Sequence, residues 1–332
     1  MKKFILSVCI ALLACLFPFV LTACNGNPSE GAPQTVSIVA PNGAPFAALA
    51  DMWGEDIEGV SADYEVITET NVRTKMLSGE ADFIVAPLNV GNAVHTAYKN
   101  GSSSHDYKLM NVTSWGVLYF VTNDSAYKTR QECANVSEFL EQFSQKELLT
   151  IGEAAIPGAT AKYLFQQASV TVSLKGSEAT PIQQAFVSAK ADDTATTTAI
   201  FAQPAITGTA AQSKGKEVKV LASVSDIYKE ITGDEFPMAG MFVRADFYEE
   251  YPQFVQKLNT RIQSSVEKFN SNINAVAEKI GAMEEPPIPA AILPKAYDKM
   301  NVKFKTAADS AAAVKKLLTN IGASAADDLF IP

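Results

Sequence analysis

Gly79 to Asp124, GEADFIVAPLNVGNAVHTAYKNGSSSHDYKLMNVTSWGVLYFVTND, decides how the chain is read. Within it, Phe83-Ile84-Val85-Ala86 is a short apolar run bounded by a charged turn and a proline, the pattern of a strand buried on both faces of a parallel sheet. Pro87-Leu88-Asn89 ends the run. In an open α/β sheet the loops at the carboxyl ends of strands line the ligand crevice, so Pro87 to Asn92 is a candidate wall of a site. A second run, Val117 to Thr122, follows the small, polar and aromatic stretch Thr113-Ser114-Trp115-Gly116 and is again strand-like. Such a strand carries the chain out of one lobe and into another.

Upstream, Thr35-Val36-Ser37-Ile38-Val39-Ala40 alternates and runs into Pro41-Asn42-Gly43-Ala44-Pro45, a strand, a glycine-bearing turn and a proline placed for a first helical turn. The helix continues from Phe46 to Trp53. Backbone N–H groups at such a start are free to meet a ligand and the dipole favours negative charge, although a plain tight βα connection accounts for the same residues. Asp63 to Thr68 reads as a second alternating strand, Asn71 to Ser78 as a helix and Asp82 to Ala86 as a third strand. The β-α-β-α-β order predicts a parallel sheet.

Downstream of Asn123 the pattern predicts a helix from Tyr127 to Phe143, a strand end at Leu149 to Gly152, and a helix mouth at Ile156-Pro157-Gly158-Ala159-Thr160-Ala161. The helix over Ala161 to Ala168 again presents free N–H groups at a strand's carboxyl end. Val170 to Leu174, Ala195 to Phe201 and Lys219 to Ala222 are further strands, the second ending at Gln203-Pro204. Glu235-Phe236-Pro237-Met238-Ala239-Gly240 leads into Met241-Phe242-Val243-Arg244, the candidate return crossing. Phe247 to Ile280 is long, amphipathic and helical, with Pro252 suited to a helix start. Four prolines between Pro286 and Pro294 mark a break, and Ala307 to Ile321 reads as a docking helix.

The amino-terminal end states a location. Lys2 and Lys3 precede an apolar segment from Phe4 to Val20, followed by Leu21-Thr22-Ala23-Cys24, the form of a secretory signal peptide over residues 1–23. The last four residues resemble the lipobox of bacterial lipoproteins, in which Cys24 is the lipidation site. A transmembrane anchor or an ordinary signal peptide is the alternative, but the apolar run lies near the ~18-residue lower limit for a span. Residues 24–34 are rich in Gly, Pro and polar groups and read as a flexible tether. Of four cysteines, this leaves only Cys133 in the folded part, so no intrachain disulfide is expected there. Losing Lys2 and Lys3 takes the formal charge from −9 to −11. So acidic a domain argues against nucleic acid or anionic lipid as partner. With 47% apolar residues the chain can build one large domain or two lobes.

Tools for catalysis are scarce. His95 and His105 are the only histidines and read as surface residues, and no HExxH, CxxC, G-x-S-x-G or P-loop motif occurs. No metal or cofactor is expected.

The lipobox, the strand leading to Pro41-Asn42-Gly43-Ala44-Pro45, and Gly79-Glu80-Ala81-Asp82-Phe83-Ile84 together resemble the substrate-binding proteins of ABC importers. Gly152 with Pro157-Gly158 before a helix, Gln203-Pro204 where Glu-Pro is frequent, and Met241 to Phe247 followed by Pro252 extend the match from about Val36 to about Leu318. The group most resembled is the nitrate, sulfonate and thiamine-precursor one, labelled SsuA-like or NMT1/THI5-like. This resemblance implies an α/β fold of the two-lobe periplasmic-binding-protein type (type II-like), with parallel-rich sheets joined by two hinge crossings. Residues 35–117 and 240–332 would form lobe I and 118–239 lobe II, closing on a solute.

The expected ligand-binding residues are Asn42, Gly43, Ala44, Pro45 and Phe46, then Pro87, Leu88 and Asn89, then Thr113, Ser114 and Trp115 in lobe I. Pro157, Gly158, Ala159, Thr160 and Gln203 face them from lobe II, with Phe236 and Met238 beside the return crossing. These loops hold amides, hydroxyls, aromatics and backbone donors but no arginine fork, which favours a neutral or heteroaromatic solute stacked on Trp115 or Phe46. A small oxyanion or sulfonate held at the helix starts is next. The expected partners are a membrane permease with its ATPase and, through Cys24, the lipid of the bacterial cell membrane, with the domain itself a monomer outside the cytoplasm. A ligand-sensing lipoprotein, or a THI5-like enzyme of pyrimidine metabolism, is the alternative.

Overall fold

The alternating stretch near the start forms β1 (Thr35–Pro41), whose Val36, Ile38, Val39 and Ala40 are buried. The computed structural model describes residues 31–332, and the calls on the signal segment and on Cys24 lie outside them. β2 (Ser61–Ile67), α1 (Val72–Ser78) and β3 (Phe83–Pro87) follow, with β2 and β3 both parallel to β1, as the β-α-β-α-β order predicts. Gly79 ends α1 at φ 70°, a left-handed C-cap that glycine adopts without penalty.

Two expectations in the deciding stretch are corrected here. Pro87 to Asn92 is no loop, because α2 (Leu88–Lys99) starts directly after Pro87, which loses nothing by lacking an N–H at a helix start. Thr113 and Ser114 are no loop either, but the buried end of β4 (Tyr107–Ser114). After three intervening residues β5 (Leu118–Thr122) begins in a second sheet.

Around β5 the chain builds α3 (Val136–Glu141), β6 (Glu147–Ile151), α4 (Ile156–Gln167), β7 (Ser173–Ser177), α5 (Ala179–Val187), β8 (Thr198–Ala202), α6 (Ala205–Gln212), β9 (Lys219–Ser223) and α7 (Val224–Thr232). The helix expected over Tyr127 to Phe143 is only α3 and a separate 3-10 turn. Asn135 accepts the Glu138 N–H at 2.9 Å and restarts the chain as an N-cap. Phe120 on one face of β5 meets the rings of Phe139, Phe143 and Phe165 at 5.3–6.2 Å. Val121 on the other face packs with Ile182, Phe186, Phe201 and Ile206. Helices therefore cover both faces of this sheet, each buried ring contributing roughly 1.5–3 kcal/mol.

β10 (Ala239–Arg244) returns to the first sheet. The single helix expected over Phe247 to Ile280 is three, α8 (Ala245–Glu250), α9 (Pro252–Ser271) and α10 (Ile273–Gly281), because Pro252 and the non-helical Asn272 interrupt it. α11 (Leu293–Ala296), β11 (Val302–Thr306) and α12 (Ala307–Asn320) complete the chain. No helix among the described residues is long and apolar enough to cross a membrane.

The first sheet has the order β11-β4-β10-β3-β1-β2 and the second β7-β6-β8-β5-β9. Register gives the directions. β10 runs against β3 and β4, with Ala239 opposite both Pro87 and Ser114, and β11 also runs against β4. β5 runs against β8 and β9, with Leu118 opposite Ala202, while β6, β7 and β8 are parallel. Both crossings therefore join the carboxyl edge of one sheet to the carboxyl edge of the other, and the strand-end loops of both are brought to the same place.

Candidate functional site

The crossing segments are Trp115-Gly116-Val117 and Phe236-Pro237-Met238, and backbone hydrogen bonds tie them together. The Met238 N–H donates to Ser114 O at 2.8 Å and the Leu88 N–H to Met238 O at 3.0 Å, so Pro87-Leu88, Thr113 to Trp115 and Phe236 to Met238 are brought together. From the second sheet, the Gln203 N–H donates to Val117 O at 2.9 Å. Asn301, not singled out from the sequence, donates through Nδ2 to Gly116 O at 2.8 Å. Gly116 has φ 95°, and a Cβ there would stand 2.6 Å from Ser225 Cβ, so this position requires glycine.

The aromatics expected to stack a solute are engaged elsewhere. Trp115 is 2% exposed, its Nε1–H is shared between Val112 O (3.2 Å) and Lys303 O (3.1 Å), and Lys305 Nζ lies 4.7 Å from its ring centre. It wedges the crossing. Phe46 is fully buried, edge-on to Trp53 at 4.7 Å. Phe236 lies against Tyr228 at 5.0 Å, and Met238 is also buried.

The turn after β1 is a 3-10 turn, Ala44–Leu49, rather than the expected α-helix, and it is not a set of free donors. Asn42 is exposed, but its N–H donates to Ile67 O (2.9 Å), that of Gly43 to Pro287 O (3.0 Å) and that of Phe46 to Gly43 O (3.1 Å). Pro45 has none to offer. An oxyanion at this turn would find its donors already paired.

The start of α4 is a better donor site. Gly158 is buried where a Cβ would meet Glu153 O at 2.4 Å, so the loop wraps closely over the helix mouth. Ala159 donates back to Ala155 O at 2.9 Å, and the Ala155 side chain provides no cap. Gln203 is buried and its Oε1 accepts from Thr207 Oγ1 (2.8 Å) and Thr207 N (3.3 Å), which commits the amide oxygen to the start of α6. Three polar atoms on α2 and α4 are buried without a partner among the described residues: Asn89 Oδ1 and Asn92 Oδ1 in α2, and Thr160 Oγ1 in α4. Such groups cost free energy unless something satisfies them.

His95 is no surface residue. It is 1% exposed, with Nδ1 2.7 Å from Asp106 Oδ1 and Nε2 3.2 Å from Asp328 Oδ1. Asp106 precedes the amino end of β4, so this cluster stands a strand's length from Ser114 and the crossings. Cys133 is buried, and burial pushes its thiol up. Among the described residues no group of three or more His, Cys, Asp or Glu could hold a metal ion.

Three solved structures share this arrangement. An ABC transporter protein of Parabacteroides distasonis is 14% identical over 90% of this chain and 99% of its own, with a TM-score of 0.68. The fold is that of periplasmic solute-binding proteins. The same binding-protein fold is seen in the periplasmic aliphatic sulphonate binding protein of Escherichia coli (14% identical, 86% of each chain, TM-score 0.59). It is seen again in the periplasmic nitrate-binding protein of Synechocystis (10% identical, 86% of this chain and 80% of that one, TM-score 0.60). No protein-family model matches the chain, and no curated protein matches it.

Proposed function

We propose that this chain is the solute-binding component of an ABC importer. The observation that carries the reading is the meeting of both carboxyl edges at two short crossings, in a fold shared with binding proteins of transporters. Residues 35–117 and 240–332 act as one lobe and 118–239 as the other, turning about Gly116 to Leu118 and Pro237 to Ala239. A solute touching both lobes stabilises the closed form by the contacts it makes only there. Its contacts come from Asn42, Pro87 to Asn89, the α4 mouth at Pro157 to Thr160, and the Gln203 amide; Trp115, Phe46 and Phe236 support these loops from behind. The protein binds its solute without transforming it, and a permease and its ATPase take the closed form.

A thermal-shift screen across pyrimidines, sulfonates, nitrate and small amines tests this. The solute at a hundred times its dissociation constant should stabilise the fold by about 2.7 kcal/mol, raising the melting temperature by roughly 5–10 °C. Small-angle scattering should show compaction with that solute, and an unchanged radius at saturation would count against lobe closure.

The Lys2 to Cys24 pattern supports an extracytoplasmic place with a lipid anchor at Cys24. Tethering raises the domain's concentration at the permease, so weak docking of a monomer suffices. Cys24→Ala should move the protein from the membrane fraction to the soluble one with ligand affinity unchanged. Retention in the membrane would instead make Phe4 to Val20 the anchor.

A further inference from the structure

The two sheets are tied together on one side of the crossings and not on the other. In the first sheet β11 lies outside β4, away from β3 and β1, whose carboxyl ends lead to Pro87 to Asn89 and to Asn42. In the second, β9 lies outside β5, away from β8 and β6, and is followed by α7. Three side-chain contacts join the sheets on the β11 and β9 side. The Tyr119 hydroxyl of β5 donates to Lys299 O at 2.8 Å, shortly before β11 begins. Asn320, the last residue of α12, donates through Nδ2 to the hydroxyl of the buried Tyr228 of α7 at 2.9 Å. Lys305 of β11 pairs with Glu235, which follows α7.

The two hydrogen bonds stand on opposite faces of the second sheet. Tyr119 packs with the Val121 cluster, whereas the Tyr228 ring lies 6.4 Å from that of Tyr163 in α4, the helix whose Phe165 meets Phe120. Among the described residues, every other polar contact between 118–239 and the rest of the fold is made at the crossings. These are Gln203 N–H to Val117 O, Met238 N–H to Ser114 O, Leu88 N–H to Met238 O, and the pairing of Ala239. None joins the turn after β1 to the mouth of α4 or the start of α6.

The crossings act as a fulcrum. β1 stands two strands ahead of β10, about 10 Å, and β11 one strand behind β4, about 5 Å. A closing movement of about 4 Å at β1 therefore parts the contacts behind by about 2 Å, which neither hydrogen bond survives.

Resting on the binding reading above, we infer that Tyr119 with Lys299, Tyr228 with Asn320, and Lys305 with Glu235 are ties of the open form that set solute affinity from outside the cleft. They hold only while the lobes stand apart, so the solute's contacts must break them. Each hydrogen bond favours the open form about fivefold, and the exposed ion pair about threefold or less. Only the closed form grips the solute from both lobes, so the apparent dissociation constant is raised by the product of these factors.

Titration calorimetry with cytosine, ethanesulfonate, nitrate and putrescine provides the test. A probe that binds the wild type should bind Tyr119→Phe about fivefold more tightly, and Tyr228→Phe likewise. The two changes together should gain about twenty-five-fold, whereas Asn320→Ala added to Tyr228→Phe should gain nothing, since both break one contact. Urea unfolding supplies a readout without any probe. Tyr228→Phe and Asn320→Ala should couple about fivefold in the unfolding equilibrium of the empty protein, and the coupling should vanish at saturation with the bound probe. Unchanged or weaker affinity in both tyrosine variants, or no coupling in the empty protein, would overturn the ties while leaving the solute-binding reading intact. Silence of all four probes, with no compaction by scattering, would count against both.

Discussion

Gly240→Val is expected to break the first sheet. Gly240 lies in the middle layer of that sheet, opposite Ala86 of β3 on one side and Val112 of β4 on the other, at a register slip between Ala239 and Gly240. A Cβ there would stand 2.0 Å from Asn111 O and 3.1 Å from Leu109 Cδ1. The obstacle is backbone, held by the ladder itself, so it cannot turn aside as a flexible side chain would. Relief requires β10 to leave β4, and β10 is the strand that closes the return crossing. The cost should be about 3 kcal/mol or more, with the melting temperature lowered by roughly 6 °C or more. Gly208→Ala is the control, a helical glycine whose added Cβ meets nothing, and should leave stability equal or raise it by roughly 0.5–1 kcal/mol. Wild-type melting of Gly240→Val would mean that the register of β10 against β4 is not the one described.

His95→Leu should cost nearly as much, far from the cleft. The imidazole stands between the buried carboxylate of Asp106 and that of Asp328, and Lys108 Nζ lies 3.2 Å from Asp106 Oδ2. A neutral imidazole carries one N–H and can donate to one carboxylate; only the imidazolium donates to both. Leucine would leave Asp106 buried with a single lysine, a loss of about 3 kcal/mol. The carboxyl-terminal tail would loosen with it. That tail is also held by Lys108 Nζ on Asp328 O (2.7 Å), by Asn92 Nδ2 on Ser324 O (3.0 Å) and by the Ile331 N–H on Leu109 O (3.0 Å). Hydrogen exchange should therefore quicken at Phe330 and Ile331 in the variant.

Acid acts on the same latch. Lys99 foremost, and then His95 and Lys108, hold the Asp328 carboxyl well below the usual carboxylate range. A carboxyl depressed in the folded state contributes stability that is complete above its unfolded value near 4 and is lost as the pH falls through the lower folded value. Asp328 is about half exposed at 47%, so solvent screens it and its share is below ~1 kcal/mol. Asp328→Asn should thus lower stability slightly at neutral pH and flatten the acid limb of the stability curve. A limb unchanged by the substitution would remove Asp328 from the latch.

What local sequence determined was the backbone of the sheets and the kind of fold. β1, β3, β6 and β10 are short apolar or alternating runs bounded by Gly, Pro or charge, and a strand's period and its stops are properties of neighbouring residues. The motifs from Pro41 to Pro252 carried the resemblance, and the matching structures share its two-sheet fold. The elements left unread depend on partners distant in sequence. α2 hides behind Gly91, which weakens its helical pattern and is required because the Phe242 ring lies where a Cβ would be, 2.1 Å away. β4 hides behind its polar residues, of which Asn111 is fully buried: its Nδ2 donates to Asn259 Oδ1 at 2.8 Å, and its Oδ1 accepts the Met241 N–H at 3.3 Å. His95 reads as a surface residue until Asp328, at the far end of the chain, is folded against it.

At the site the division is the same. Local pattern identified strand ends, since a carboxyl terminus of a strand is marked by the run it ends, but not that α2 begins directly after β3 or that Thr113 and Ser114 belong to β4. Which side chains there are already engaged was decided by tertiary contacts. Trp115 gives its N–H to the carbonyls of Val112 and Lys303, and Phe46 packs T-shaped against Trp53. A side chain's type sets what it can bind, but whether the protein has already satisfied it depends on residues that only folding brings near.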